Sequence, residues 1–261
     1  MLELFWQAQK NGFDIHPNAL RLVTKNLRRL TKKVQNDPAA NEIFMNILTG
    51  PDPDKTLMRM NEAGVFGKFV PDFGRVVAQM QYDMYHVYTV DEHTIQVIST
   101  LAQIEREELI EELPVASGIL KRGVNRKVLY LACLIHDLGK GRDEDHSVVG
   151  AQIARRICPR LGLKQDEADT VEWLVRHHLL MSDMAQKRDI GDIRTVRDFA
   201  KAVKTKSRLD LLTVLTVSDI RGVGPNVWNN WKAALLRELY DAALDVMSGG
   251  LMAEGRAARI D

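Results

Sequence analysis

Histidine and aspartate residues stand at the ends, or on the apolar faces, of segments that the sequence predicts to be buried. His136 and Asp137 are adjacent and directly follow the apolar run 131–135. His93 shares one face of a 3.6-residue repeat with apolar residues four, eight and eleven positions later. Asp219 closes another apolar run. These four side chains are therefore predicted to face the protein interior.

Three further histidines have similar surroundings: His146 lies on an apolar face, and the pair His177 and His178 ends an apolar segment. Alone, each histidine is more often a hydrogen-bonded core residue than a metal ligand. Together, several imidazoles and two carboxylates are costly to bury unless a cation or hydrogen bonds compensate them. The set therefore predicts a divalent metal site with one or two ions. Ligands of this type suit Mn, Fe, Co or Zn, with Mg or Ni less decided.

The predicted site has the parts needed for phosphoryl chemistry. Asp137 has two oxygens and could bridge two metal ions, which can clamp a phosphoryl group between them. Lys140 lies three residues further on and could neutralise a phosphate oxygen. An equally good interpretation of Lys140 is a cation at a helix C-terminus. Gly139 and Gly141 would let the backbone approach a substrate closely.

Helices must position these residues, because apolar residues recur at helical spacing nearly everywhere and period-2 alternation is nearly absent. We therefore predict an all-α fold. Thr89 and Glu92 form a capping box at the start of the helix that carries His93. The predicted helices cover approximately 17–34, 37–50, 89–112, 124–138, 146–158, 165–181, 208–220 and 226–247, and a further helix follows the turn at 51–55 and ends at Gly64.

A Gly- and Pro-rich segment at 64–74 suggests a boundary between two parts of the chain. One of the seven histidines precedes it and the other six follow it. We predict a helical linker or packing module at 1–75, a metal-dependent phosphohydrolase domain of helical-bundle type at 76–247, and a C-terminal tail at 248–261.

Composition limits the partners and the compartment. The 261 residues carry a formal net charge of +1, which gives no overall attraction to nucleic acid or to an anionic membrane. Cys133 and Cys158 are the only cysteines, and both are expected to be buried free thiols. No uncharged apolar stretch approaches the roughly 18 residues that a membrane span needs. We expect a cytoplasmic protein that binds neither nucleic acid nor membrane.

The order of His93, His136-Asp137 and Asp219 resembles the signature of the HD superfamily of metal-dependent phosphohydrolases. That resemblance implies an all-α fold, a first metal held by these four side chains, and hydrolysis of a phosphoester. His146, His177 and His178 resemble the additional ligands of two-metal members, such as cyclic-dinucleotide phosphodiesterases. The Gly-Tyr-Pro tripeptide of those phosphodiesterases is absent after the histidine pair. A cyclic dinucleotide is therefore a less expected substrate.

A closer resemblance covers nearly the whole chain. The strings that carry it are QMQYDMYHVYTVDEHTIQVI at 79–98, ACLIHDLGKG at 132–141, DHSVVGA at 145–151, LVRHHLLMSDMAQKRDI at 174–190 and LTVSDIRGVGPNVWNNWKAALLRELY at 215–240. They look like the central region of the family of bacterial bifunctional uridylyltransferase/uridylyl-removing enzymes. We find neither that family's nucleotidyltransferase motif nor its glutamine-sensing domains. The chain is therefore expected to be an excised central fragment.

This resemblance implies uridylyl removal. Water would cleave the phosphodiester that joins UMP to a tyrosine of the nitrogen-signalling PII protein, so PII would be the macromolecular substrate and UMP the product. By the same resemblance, Lys140 would face the phosphate, and Asp137 and Lys140 would be the catalytic residues. A phenol leaves readily, so a strong general acid is not required.

Other interpretations stay open on the sequence alone. The domain could bind metal and nucleotide as a regulatory unit without hydrolysis, or it could hydrolyse free nucleotides. His86 could support His93 from outside the ligand set, although an anchor for its own loop is the better interpretation. Asp183 and Arg188 could contact substrate, but a solvated loop is expected there.

Overall fold

The computed structural model describes residues 1–80, 87–224 and 227–257, with side chains described as far as residue 249. These residues form α-helices and one 3₁₀ helix and contain no strand, which confirms the all-α prediction. The helices are α1 (Leu2–Asn11), α2 (Pro17–Lys25), α3 (Lys32–Gln35), α4 (Pro38–Leu48), α5 (Pro53–Glu62), α6 (Val65–Phe69), α7 (Pro71–Gly74), α8 (Val90–Glu105), α9 (Pro114–Arg122), α10 (Arg126–Ile135), α11 (His146–Arg160), α12 (Gln165–Arg176), α13 (Leu180–Lys187), α14 (Ile193–Val203), α15 (Lys206–Gly222) and α16 (Asn230–Ala257).

Helices α1 to α7 form an N-terminal helical module whose interior is aromatic. Phe44 packs against Phe66 and Phe69 with ring centroids 5.8 and 5.2 Å apart, and Phe66 stacks on Phe73 at 3.7 Å. Aromatic rings bury large apolar areas, so this cluster holds the short helices together. Helix α5 of the module packs against α8, and one cluster of buried apolar residues runs through both parts of the chain. The predicted boundary at 75 stays a prediction.

Five helices surround the segment around His136. Helix α8 packs against α15 and α10, while α12 packs against α11 and α10. Local capping fixes where they begin: the Thr89 and Glu92 capping box is present at α8, and the Asp145 carboxylate accepts from the backbone amides of Ser147 and Val148 at the start of α11. These caps satisfy amides that have no partner within the helix.

Two predicted helices were too long. Helix α8 ends at Glu105 instead of 112, because Glu107 adopts a left-handed φ of 62° and the amide of Glu108 donates to the carbonyl of Gln103 at 3.0 Å. This is the Schellman arrangement that ends a helix. The predicted helix over 165–181 is also divided, since α12 ends at Arg176 and α13 begins at Leu180.

Other boundaries differ in both directions. The predicted helix over 17–34 is broken into α2, the 3₁₀ helix Leu27–Arg29 and α3. Helix α11 continues past Pro159, because a proline in the last turn removes only one of the final hydrogen bonds. Helix α16 reaches Ala257 rather than 247, since good helix formers outnumber the glycines there.

The predicted buried thiols are confirmed, because Cys133 and Cys158 are buried and unpaired with each other. Among the described residues, we find no helix with the length and apolar character needed to cross a membrane.

Candidate metal centre

The first ligand group consists of His93, His136 and Asp219, which come from α8, the end of α10 and α15. One ligand atom from each lies within 4.8 Å of the others. The Nε2 atoms of the two histidines are 3.3 Å apart, and Oδ1 of Asp219 lies 3.0 Å from His93 Nε2 and 3.5 Å from His136 Nε2. Three distant segments thus direct their ligand atoms to one point.

The other ring nitrogen of each histidine in this group is held by the backbone. Nδ1 of His93 lies 3.0 Å from the carbonyl of Gly222, and Nδ1 of His136 lies 2.8 Å from the carbonyl of Cys133. A carbonyl can only accept, so each Nδ1 must donate its proton. In the neutral rings this leaves the Nε2 lone pairs facing each other across 3.3 Å, which is favourable only if a cation lies between them.

The second ligand group consists of Asp137, His146 and His178, whose ligand atoms also lie within 4.8 Å of one another. Oδ1 of Asp137 is 3.9 Å from Nε2 of both histidines. Nδ1 of His178 is fixed by the carbonyl of Val175 at 2.7 Å, in the same manner as in the first group. The His178 ring lies between the rings of His136 and His146, with centroids 5.3 and 5.2 Å away.

Asp137 connects the two groups because its two oxygens face different ways. Oδ2 lies 3.4 Å from His136 Nε2 and 3.5 Å from His93 Nε2, while Oδ1 faces His146 and His178. This arrangement is the one that a carboxylate shared by two metal ions requires. The bridging position predicted for Asp137 is therefore available in the folded chain.

Electrostatics in the first group favour positive charge. Burial alone would lower the pKa of His136, but the carboxylates of Asp137 and Asp219 outweigh it and raise that pKa. Burial would raise the pKa of both aspartates, yet His136 holds both well below the usual aspartate range. The two carboxylates therefore favour a positive charge at the centre of this group.

The second group keeps its histidines neutral. Burial, reinforced by the charge on His136, lowers the pKa of His178 to about 4, and burial also lowers the pKa of His146. Neutral imidazole is the form that binds metal. The two groups together offer four imidazoles and two carboxylates, with most of the Nδ1 atoms held by carbonyls, and this donor set fits divalent metal ions.

The loop after Asp137 is shaped by a close backbone approach. A Cβ atom at Gly139 would lie 2.1 Å from the carbonyl oxygen of His146, so only glycine allows this loop to reach the start of α11. The glycine therefore lets the loop that carries Asp137 pack against the start of α11, and the substrate approach predicted for it stays a prediction. Lys140 lies in the same loop, and its Nζ is 2.7 Å from Oδ2 of Asp137.

His177 is placed apart from both groups. Its ring packs against Trp173 with centroids 5.0 Å apart, in the turn between α12 and α13. Burial, followed by the charge of Arg176, lowers its pKa. The metal-ligand role assigned to His177 stays a prediction, and neither ligand group depends on it.

A cavity of about 510 Å³ opens at the second ligand group. Seven residues of its wall were not predicted as site residues, although they lie in the strings 174–190 and 215–240 that carry the family resemblance: Leu179, Ser182, Gln186, Ile220, Val223, Val227 and Lys232. Lys232 is half-buried and donates to the carbonyl of Val227 at 2.9 Å, and no carboxylate of the described residues pairs with it. The available signal was its position in the string 215–240, after Asp219.

Neither ligand group contains Asp183 or Arg188, which were candidates for substrate contact. Asp183 pairs with Lys187 on exposed parts of α13, at 2.7 Å, so it lies on a helix rather than a loop. Arg188 follows the end of that helix and is exposed. His86 lies outside the described residues.

Comparison with protein families agrees with this geometry. Residues 90–220, which include both ligand groups, match the family described as HD domain. Residues 1–69 match the family described as Uridylyltransferase GlnD third domain. The first match ends within the Gly- and Pro-rich segment 64–74, and the second begins after it.

Curated relatives match along the whole chain. Proteins named bifunctional uridylyltransferase/uridylyl-removing enzyme are 61% identical in Cereibacter sphaeroides, 61% in Ruegeria pomeroyi and 59% in Azospirillum brasilense, over 99–100% of this chain. The chain spans 28–29% of the length of these relatives. With its family match and both ligand groups in residues 90–220, the chain belongs to the HD-domain family and is homologous to part of the bifunctional uridylyltransferase/uridylyl-removing enzymes.

Proposed function

We propose that this chain is a metal-dependent phosphodiesterase with uridylyl-removing activity, which releases UMP from a uridylylated tyrosine of a PII signalling protein. The observation that carries the hydrolase part is Asp137, whose two oxygens face two separate histidine groups at the wall of a cavity. The substrate part is supported by relatives at 61% identity whose names include uridylyl removal.

The side chains around the cavity have complementary tasks in this reaction. A divalent metal, when bound, supplies Lewis-acid stabilisation of the phosphoryl group and makes water a better nucleophile. His93, His136 and Asp219 would hold one ion, His146 and His178 the other, and Asp137 would contact both. Lys140, beside Asp137, would face a non-bridging phosphate oxygen.

The bonds that change are simple. The oxygen of water forms a bond to phosphorus, and the bond between phosphorus and the tyrosyl oxygen breaks. One proton of the water passes to the solvent, and the tyrosyl oxygen is protonated as tyrosine. Because a phenolate is a moderately good leaving group, the cavity needs to stabilise charge on phosphate more than it needs a strong acid.

The test is release of UMP from uridylylated PII by the purified chain after metal removal and addition of Mn²⁺, Co²⁺, Mg²⁺ or Fe²⁺. A chromogenic nitrophenyl phosphodiester tests the chemistry without the protein substrate. Asp137→Ala should abolish turnover of both. Asp198→Asn is the matched control, because Asp198 is exposed on α14, away from the ligand groups.

Each part of the proposal can fail separately. Cleavage of the chromogenic diester without release of UMP from PII would reject the assigned substrate and keep the hydrolase. Binding of metal and UMP without any turnover would instead favour a nucleotide-binding regulatory unit. Hydrolysis of free nucleotides with no effect on PII would place the substrate among small molecules.

A further inference from the structure

Asp72 of the N-terminal helical module lies between two guanidinium groups that belong to the rest of the chain. Its Oδ1 is 3.1 Å from Nη2 of Arg142, and its Oδ2 is 2.7 Å from Nη2 of Arg156. The Asp72 and Arg142 side chains are 13% and 28% exposed, so their contact is shielded more than an ordinary surface ion pair, whereas the Arg156 side chain is 64% exposed.

The two arginines belong to the segments that bring the second ligand group together. Arg142 is five residues after Asp137 in the same loop, and Arg156 lies on α11, whose first residue is His146. One carboxylate from outside the HD-domain match thus links the loop that carries Asp137 to the helix that carries His146. The residue next to Asp72 is firmly packed, because Phe73 is buried and stacks on Phe66 at 3.7 Å.

A second contact from the N-terminal side covers the same loop. Gly141 has a φ of +74°, and a Cβ atom there would lie 2.3 Å from Nε2 of Gln79. The side-chain amide of Gln79 therefore lies directly against the loop at Gly141, the residue before Arg142. Residues 72 and 79 therefore contact the end of the loop that begins at Asp137, at Arg142 and Gly141.

We propose that Asp72 is a positioning residue for the second ligand group, and that it sets the separation of Asp137 from His146 and His178 by clamping Arg142 and Arg156. The proposal rests on the metal-dependent function proposed above. It assigns to the N-terminal helical module a role in assembling the metal centre. A structural change in that module would reach the metal centre through the contacts of Asp72.

The test is titration of the chelator-treated 261-residue chain with Mn²⁺ by calorimetry, in the wild type and in Asp72→Asn. The affinity of the second ion should weaken by about tenfold, in the range found for residues that orient metal ligands, and the first ion should bind as in the wild type. Turnover of a chromogenic phosphodiester should show a fall of about tenfold in kcat with KM little changed.

Asp54→Asn is the matched control, because Asp54 also accepts a hydrogen bond across the same interface, from the Ser99 hydroxyl at 2.9 Å, but does not touch the loop. Equal affinities for both ions in Asp72→Asn and Asp54→Asn would overturn the proposal. The double variant with Arg142→Met and Asp72→Asn should lose no more affinity for the ion of the second ligand group than Asp72→Asn alone. Both substitutions remove the same interaction, so their effects should not add. Additive losses would also overturn it.

Two further outcomes separate this proposal from the proposed function. If the wild type binds two Mn²⁺ ions but hydrolyses nothing, the hydrolase fails while the affinities still decide the role of Asp72. If Asp72→Asn does not fold, as judged by circular dichroism, Arg142→Met and Arg156→Met provide the same measurement from the other side of each pair. Unchanged affinity for the second ion in both would reject the clamp.

Discussion

The two ligand groups around Asp137 differ in how far they are closed from solvent. In the first group, His93 and His136 are 1% and 0% exposed, and only Asp219 reaches the cavity, at 17%. In the second group, His146 is 27% exposed and forms part of the cavity wall with His178. His178 itself is only 1% exposed, so the difference between the groups lies at His146. It predicts that an ion in the first group would exchange more slowly than an ion in the second group.

Asp137→Asn should have the largest effect, because it removes the charge that both groups share. We expect a loss of turnover of about a thousandfold, the upper range for removing one key electrostatic contact. Elemental analysis should show that the variant retains less metal than the wild type in both groups. Wild-type metal content and turnover would show that the two groups do not communicate through Asp137.

His146→Ala should separate the two groups. We expect it to lose one ion and about 10- to 100-fold of turnover, while the ion of the buried first group remains through dialysis against a chelator. His136→Ala should lose the ion of the first group. In the wild type we expect that ion to be released more slowly than the ion of the second group. If chelation empties both groups at the same rate, the difference in burial does not control exchange.

Lys232→Gln should show whether UMP binds in the cavity at the second ligand group. Lys232 lines the cavity at the second group and has no carboxylate partner among the described residues, so it is available to an anion. A hydrogen bond to a charged group contributes enough that its loss should weaken UMP binding by about tenfold. Equilibrium dialysis with UMP measures this, and Mn²⁺ affinity should not change. Unaltered UMP binding would place the nucleotide elsewhere.

Asp145→Ala should have the smallest effect, confined to the helix that carries His146. The cap it forms at α11 is expected to contribute about 1 kcal/mol to the free energy of unfolding, measured by urea denaturation at neutral pH. Hydrogen bonds from the amides of Val148 and Ser147 lower the pKa of Asp145. The folded-state pKa is thus below the unfolded one, so this stability is present above the unfolded pKa near 3.9 and is lost as the pH falls through the folded value. Below that pH the difference in stability between the variant and the wild type should be smaller than at neutral pH.

Much of the fold could be predicted from the sequence, since helical periodicity and capping are local. Thr89 and Glu92 marked the start of α8 correctly, whereas its end was misplaced because the backbone turns at Glu107, a residue with no special preference for a left-handed φ. The division between α12 and α13 was also missed, and the turn there contains no left-handed residue to mark it. That turn also explains why His178 and His177, although adjacent, face different surroundings.

The sequence by itself determined which side chains are available as ligands, because residue type and helical phase already direct His93, His136 and Asp219 toward the interior. Only the tertiary structure decided how they are grouped. His93 and Asp219 are 126 positions apart, and their contact depends on the packing of α8 against α15. The two directions of the Asp137 oxygens, the place of His177 outside both groups and the clamp formed by Asp72 likewise arise from contacts between distant segments, which no local pattern records.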